Sequence, residues 1–177
     1  MKTDRLLEPG QWAVLALLSE QQAHGWALAN ELAPAGKLGV IWSLTHPAVY
    51  KALETLEEHG LIESLSTEPG VHGRKRTFKA TPAGRAALNC WLENPVEHIR
   101  DSRSQLLLKL AVAERAGIDP EPMLAAQHAS IVAMVETLEA RARSSSGSET
   151  LVIRFRLEST RAVLRFINDQ IAECTKT

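Results

Sequence analysis

The sequence predicts a mainly α-helical protein with one small β-hairpin, in the α+β class. Apolar residues recur at helical spacing along most of the chain. Two weakly alternating stretches, residues 61–66 and 76–80, flank a turn that contains Pro69 and Gly70, which is the pattern of a hairpin. The chain has 177 residues, of which 45% are hydrophobic and 23% are charged, and this balance excludes wholesale disorder.

Start and stop signals divide the first part of the chain into four helices and the hairpin. A break at His24-Gly25 separates two N-terminal helices. Thr45 is the predicted N-cap of a third helix, which ends at Gly60, a residue type that suits the left-handed C-cap conformation. After the hairpin, Thr81 is the predicted N-cap of a fourth helix. This order of elements predicts a winged helix-turn-helix, in which the third helix faces outward.

The rest of the chain has only helical patterns, so we expect two domains, residues 1–94 and residues 95–177. Two of its helices carry apolar residues at alternating intervals of four and three and are joined by a Ser-rich turn at residues 144–148. This pattern predicts an antiparallel helical hairpin. The residues predicted to mediate dimerisation through it are Ile131, Val135, Leu138, Ile153, Leu157, Leu164, Ile167 and Ile171.

A second apolar set makes the stripe on the last helix wider than one neighbouring helix can cover. It consists of Val152, Phe155, Ala162, Val163 and Phe166. A homodimer that packs these helices across a two-fold axis is the preferred interpretation, because most soluble homo-oligomers are two-fold dimers. The alternative is a three-helix bundle within one chain, formed with the helix at residues 106–113.

The hairpin and the start of the fourth helix carry a strip of basic residues. The net charge of −1 argues against binding of nucleic acid by bulk attraction. However, Arg74, Lys75, Arg76, Lys79 and Arg85 follow one another with no acidic residue between them. A local strip of this kind indicates either a small docking surface for phosphate or a set of solvated surface charges.

The third helix presents two different faces. At 100° per residue, Val49, Leu53 and Leu56 share the face that packs in the core. Tyr50 lies at the border, where its ring can rest on the domain while its hydroxyl reaches a phosphate. Lys51 suits a guanine edge and Ala48 suits a thymine methyl, and both are equally compatible with plain solvent exposure.

Three segments resemble the PadR-like family of bacterial transcriptional regulators. They are residues 42–62 (WSLTHPAVYKALETLEEHGLI), residues 73–85 (GRKRTFKATPAGR) and the turn His24-Gly25-Trp26. The resemblance implies a cytoplasmic homodimer with a helical dimerisation region, usually a repressor that a small, often aromatic, molecule releases. It also implies that Tyr50 contacts the DNA backbone and that the basic wing reaches the neighbouring groove.

The predicted partner is therefore double-stranded DNA with an inverted-repeat operator. The residues expected to contact it are Ser43, Thr45, His46, Pro47, Ala48, Tyr50, Lys51, Arg74, Lys75 and Arg76. The alternative function is a winged-helix module that binds another protein without specific DNA binding.

Enzyme chemistry is not predicted. The sequence has no Gly-x-Ser-x-Gly elbow, no phosphate loop and no His-Glu-x-x-His, and its six histidines do not cluster with carboxylates or thiols at ligand spacing. We therefore expect no catalytic residue, no metal and no cofactor. Since the longest apolar run, residues 12–18, is short and no signal-peptide pattern is present, we expect a cytoplasmic protein without a membrane span.

Four tryptophans against a single tyrosine suggest an aromatic ligand pocket. However, Trp12, Trp26 and Trp91 lie at core spacing on their helices, and packed core aromatics are the favoured interpretation for each of them. Trp42 has no assigned role.

Overall fold

The computed structural model describes residues 7–70 and 73–175, and the side chains of residues 66–70 and 73–75 lie outside its description. The chain forms two compact units. The winged-helix unit comprises residues up to 92 together with 107–117, and the helical unit comprises 93–106 together with 118 onward. The predicted fold class is confirmed, because helices predominate and a small antiparallel sheet accompanies them.

In chain order, the elements are α1 (Pro9–Glu20), β1 (Ala23–His24), α2 (Gly25–Glu31), α3 (His46–Glu58), β2 (Ile62–Gly70), β3 (Gly73–Ala80), α4 (Pro82–Glu93), α5 (Ile99–Asp101), a π-helical turn (Ser102–Leu106), α6 (Leu107–Ala116), α7 (Glu121–Ser144) and α8 (Gly147–Cys174). The sheet has the strand order β1-β3-β2 and is antiparallel throughout. Strand β1 is missing from the sequence prediction, because two residues are too few to show alternation.

The predicted helix boundaries in the winged-helix unit are confirmed by the capping geometry. The Ala48 N–H donates to Thr45 Oγ1 at 3.4 Å, and the Gly84 N–H donates to Thr81 Oγ1 at 3.1 Å. Gly60 follows α3 with a φ of 67°, the left-handed conformation that glycine adopts without steric cost.

The core of the winged-helix unit is centred on two stacked tryptophans. The rings of Trp12 and Trp91 lie 4.9 Å apart between centroids and 10° from parallel. Both are buried, as predicted. The buried Lys109 of α6 donates its ammonium to the Trp91 carbonyl at 2.7 Å, and its Nζ lies 4.9 Å from the Trp91 ring centroid. A lysine can occupy this core because its charge faces a carbonyl oxygen and an aromatic ring.

The prediction that Trp26 belongs to the core is wrong. Its side chain is 65% exposed. Helix α2 is only seven residues long. Its buried stripe consists of Gly25, Leu28 and Ala29, and Leu32, the residue after the helix, is also buried. Because this stripe begins at Gly25, the adjacent Trp26 points toward solvent.

Helix α6 belongs to the winged-helix unit. Its Leu108 and Val112 are part of that unit's core. Arg115 donates two hydrogen bonds of 2.8 Å to the Glu20 carboxylate and lies 3.8 Å from Glu31. The hydrogen bonds to Glu20 raise the pKa of Arg115, so this pairing keeps its charge. The alternative of a three-helix bundle that includes residues 106–113 is not supported, because most of its third helix lies in the winged-helix unit.

In the helical unit, α7 and α8 pack along each other as the predicted helical hairpin. Among the eight seam residues predicted to mediate dimerisation, this structure buries Ile131, Ile153, Leu157 and Ile167 within the single chain, and it leaves Val135, Leu138, Leu164 and Ile171 half-buried. Half of the predicted seam is therefore already covered without a second copy.

The linker before α5 is held by a buried glutamine. The Val96 N–H donates to Gln127 Oε1 at 2.6 Å, and Gln127 Nε2 donates to the Val96 carbonyl at 3.1 Å. The side-chain amide thus completes both backbone hydrogen bonds of Val96, which satisfies polar groups that are buried away from water.

Candidate nucleic-acid interface

Helix α3 separates into a buried face and an outward face, as its sequence predicts. Val49, Leu53 and Leu56 are buried, and Ala52 joins them. Among the residues expected to contact DNA, Ser43, Thr45, His46, Pro47, Tyr50 and Lys51 are exposed and Ala48 is half-buried. The structure therefore brings these seven residues to the surface, in the N-terminal half of α3 and in the segment just before it.

Tyr50 occupies the predicted border position of α3. Its side chain is 48% exposed, and its ring packs on the backbone of Gly25. A Cβ atom at residue 25 would lie only 2.7 Å from Tyr50 Cε1 and 3.0 Å from Cζ. A side chain at residue 25 would push this ring from its observed position, so the His-Gly turn identified in the sequence forms the surface on which Tyr50 packs.

The same turn is attached to the wing. Thr77 Oγ1 and His24 Nδ1 are 3.0 Å apart in a hydrogen bond, and the two residues face each other in the pairing of β1 with β3. Helix α2 begins directly after His24. The turn on which Tyr50 packs is therefore connected by hydrogen bonding to the sheet that forms the wing.

The N-terminus of α3 has the electrostatic character of an anion-binding end. Its first turn contains no acidic residue. The acids Glu54, Glu57 and Glu58 all lie in its C-terminal half. Since unpaired backbone N–H groups and the helix dipole favour negative charge at an N-terminus, this end suits phosphate better than the other end.

The described part of the basic strip is engaged within the fold. Arg76 forms an ion pair with Glu57, at 2.6 Å between Nη2 and Oε1. Lys79 pairs with Glu63 at 3.1 Å, and an Arg85 guanidinium nitrogen donates to the Ala80 carbonyl at 2.7 Å. The side chains of Arg74 and Lys75, both predicted to contact DNA, lie outside the described residues.

The pairing of Arg76 with Glu57 is the feature of this surface that sequence reasoning missed. The two residues are 19 positions apart in the chain. No local spacing rule connects them, and only the strand alternation that places Arg76 on the same face as Phe78 hints that Arg76 turns toward the body of the domain.

Two other kinds of site are not seen in the part of the chain that the structure covers. No group of three or more His, Cys, Asp or Glu side chains among those residues is arranged to hold a metal ion. None of the helices described is both long enough and apolar enough to cross a bilayer.

Comparison with known sequences agrees with this architecture. Residues 14–90 match the model of the transcriptional regulator PadR-like family. A probable transcriptional regulator of Mycobacterium tuberculosis is 29% identical over 97 residues, which cover 54% of this chain and 49% of that protein. The chain thus matches about half the length of this curated relative.

Several solved structures are similar to this chain at low sequence identity and with TM-scores below 0.5. Bacillus subtilis PadR in complex with operator DNA is 20% identical, with a TM-score of 0.46 over 93% of this chain and 98% of that chain. The same protein in complex with p-coumaric acid is 19% identical, with a TM-score of 0.40 over 93% of this chain and 94% of that chain. The virulence activator AphA of Vibrio cholerae is 22% identical, with a TM-score of 0.41 over 94% of this chain and 98% of that chain.

The resemblance predicted from the recognition helix, the wing and the His-Gly turn is confirmed, because residues 14–90 match the transcriptional regulator PadR-like family.

Proposed function

We propose that this chain is a transcriptional regulator that binds a specific double-stranded DNA site. The observation that carries the proposal is the outward N-terminal half of α3, on which Tyr50 is seated over Gly25 beside the hairpin. A surface with an exposed helix N-terminus and a neighbouring basic strand is suited to the phosphates and major groove of a duplex.

The proposed contacts follow from the chemistry of each group. The Tyr50 hydroxyl donates to a backbone phosphate, and the N-terminal turn around Ser43, Thr45 and His46 receives a second phosphate. Ala48 and Lys51, with Pro47 beside them, face the base edges of the major groove. Arg74 and Lys75 of the wing supply further phosphate contacts. Arg76 is not assigned such a contact, because Glu57 already holds it.

We also propose that the regulator works as a homodimer on an inverted repeat. One copy makes only a few phosphate contacts, whereas about 6 to 10 contacts are needed for the affinity and salt dependence of specific sites. The helical unit leaves Val152 and Phe155 of α8 exposed, together with Leu151. These residues suit a partner copy. In this proposal residues 1–94 bind DNA and residues 95–177 mediate dimerisation, except for α6, which belongs to the winged-helix unit.

The proposed mode of action is repression that a small aromatic molecule relieves. This part of the proposal rests on the family resemblance of the sequence. It is tested by transcription from a promoter that contains the selected site, with and without a panel of small aromatic acids. Reduced transcription that recovers with one of them supports repression, and increased transcription on addition of the protein contradicts it.

The central experiment is selection of binding sites from random duplex DNA by the full-length protein. We expect an inverted repeat and an affinity that falls steeply with salt concentration. Recovery of no preferred sequence, together with a weak salt dependence, would instead favour the module that binds another protein.

The contact assigned to Tyr50 has its own test. Tyr50→Phe keeps the ring on Gly25 and removes only the hydroxyl. We expect about tenfold weaker binding, by a similar factor on every sequence, since a phosphate contact carries no base preference. Unchanged affinity on the selected duplex would reject this contact.

A further inference from the structure

Three contacts hold the side chain of Arg76, and all of them lie within the winged-helix unit. Its Nη2 donates to Glu57 Oε1 at 2.6 Å, and its Nε donates to Ser64 Oγ at 3.4 Å. Its guanidinium carbon lies 4.8 Å from the centroid of the Phe78 ring. The planar group is thus held at its edge by hydrogen-bond acceptors and on its face by an aromatic ring.

These contacts connect three elements of the unit. Glu57 lies in the last turn of α3, Ser64 lies on β2, and Phe78 lies on β3 with Arg76 itself. Phe78 is buried in the core. Arg76, two residues earlier on the strand, shares its face. The guanidinium therefore lies where the base of the wing meets the C-terminal end of α3.

The Arg76 side chain is 46% exposed, and moving its guanidinium away from Phe78 and Glu57 to a DNA phosphate would break these contacts. Moving the guanidinium to DNA gives up a charge-assisted hydrogen bond and the stacking on Phe78, and it leaves the Glu57 carboxylate without this cation next to a polyanion. Keeping Arg76 in place avoids both costs and fixes the angle of the wing.

We propose that Arg76 is a positioning residue, which ties the base of the wing to the recognition helix through Glu57 and does not bind DNA phosphate. This inference rests on the proposed DNA-binding function. It assigns the phosphate contacts of the wing to Arg74 and Lys75, which lie farther along β3 toward the hairpin turn.

The salt dependence of binding separates a positioning role from a phosphate contact. Arg76→Met keeps an apolar stem over Phe78 and removes the charge. With the duplex recovered by selection with the wild-type chain, we expect the affinity of this variant to fall several-fold at every salt concentration. We expect the slope of log affinity against log salt to stay at the wild-type value, because no counterion release is lost.

Lys79→Met is the matched control, since Lys79 is a half-exposed basic residue of the same strand that pairs with Glu63 inside the hairpin. It should leave the affinity within about twofold of the wild type. A slope for Arg76→Met that is flatter by about one contact, roughly 0.9, would overturn the proposal.

Variants of Glu57 give a second, independent test. Glu57→Gln is compared with Glu58→Gln, which removes an exposed acid at the next position of α3 and so measures the general effect of one fewer negative charge near DNA. Relative to that control, we expect Glu57→Gln to weaken binding several-fold, and we expect the Arg76→Met/Glu57→Gln double variant to bind no more weakly than either single variant. Stronger binding by Glu57→Gln than by Glu58→Gln would mean that Glu57 withholds Arg76 from DNA, and it would overturn the proposal.

Amide hydrogen exchange of the free protein tests the pairing of Arg76 with Glu57 in the absence of DNA. Arg76→Met and Glu57→Gln should each speed exchange in β2 and β3, whereas Glu58→Gln should not. Equal exchange in all three variants would contradict the proposal. Failure of the wild-type chain to bind any selected duplex would instead reject the proposed function and leave the exchange result to decide the role of Arg76.

Discussion

In the winged-helix unit, α1 buries eight of its 12 residues, including the continuous run from Trp12 to Leu18. In the helical unit, α8 buries only Ile153, Leu157, Thr160 and Ile167 out of 28 residues. Helix α1 is surrounded by α3, β3 and α6, whereas α8 has one long neighbour, α7. The two helices therefore differ mainly in how many elements cover them.

This difference indicates which unit would form the interface of the proposed dimer. Each fully buried aliphatic side chain contributes roughly 1.5 to 3 kcal/mol, and the winged-helix unit collects this contribution from all sides of α1. The helical unit leaves Leu151, Val152 and Phe155 in water, at 71%, 53% and 75% exposure. The winged-helix unit covers the core around α1 by itself, whereas the helical unit has exposed apolar surface that suits the proposed partner copy.

The largest effect should come from the core of the winged-helix unit. Trp12→Ala removes one of the two stacked rings, and we expect it to lower the free energy of unfolding by about 3 to 5 kcal/mol. Trp26→Ala, a substitution of the same type at an exposed position, should change it by no more than about 0.5 kcal/mol. Urea unfolding followed by circular dichroism measures both, and similar losses for the two variants would contradict the closed core described here.

The next effect tests whether the exposed apolar residues of α8 form a dimer interface. Phe155→Glu places a charge in the exposed apolar set of α8, and we expect the dissociation constant of the dimer to rise about 100-fold, near 2.7 kcal/mol. Analytical ultracentrifugation measures this constant. Val40→Glu changes an exposed apolar residue of the winged-helix unit and should leave it unaltered. Equal dimerisation of both variants, or a wild-type chain that stays monomeric at all concentrations, would remove α8 as the dimer surface.

A smaller effect is expected at the contact between the Tyr50 ring and Gly25 in the winged-helix unit. Gly25→Ala introduces a methyl group 2.7 Å from the Tyr50 ring, and we expect a loss of about 1 to 2 kcal/mol in stability together with weaker DNA binding. In the Gly25→Ala/Tyr50→Ala double variant the clash is gone, so the stability losses should be less than additive. Thermal unfolding of the wild type, the two single variants and the double variant measures these losses. Strictly additive losses would argue against the contact between Gly25 and the Tyr50 ring.

Effects of similar size or smaller should come from the helix caps of the winged-helix unit. Thr45→Ala removes one cap bond of 3.4 Å, and we expect a loss of about 0.5 kcal/mol. Thr81 accepts from the Gly84 N–H and also donates to the Gly60 carbonyl at 2.8 Å, so Thr81→Ala should cost more, about 1 to 2 kcal/mol. The same urea measurements rank the two variants, and the reverse order would contradict this account.

Much of the winged-helix unit could be predicted because its signals are local. The Thr45 cap, the Gly60 stop and the apolar periodicity of α3 each depend on residues within about four positions of one another. The outward placement of Tyr50 follows from the same periodicity. Trp26 shows the limit of this reasoning, because a helix of seven residues has too few positions to define which face is buried.

Amino-acid order alone determined the four helices of residues 1–94, their caps, and the apolar face of α3, since backbone hydrogen bonding and side-chain periodicity act over a few residues. It did not show the π-helical turn at Ser102–Leu106, which interrupts the single helix predicted over residues 101–116. Tertiary structure decided that Glu57 holds Arg76, that the Tyr50 ring packs on Gly25, and that four of the eight predicted seam residues of α7 and α8 are buried within one chain. These outcomes depend on which distant groups meet in space, and ion pairs, steric gaps and apolar contacts exist only once the chain has brought those groups together.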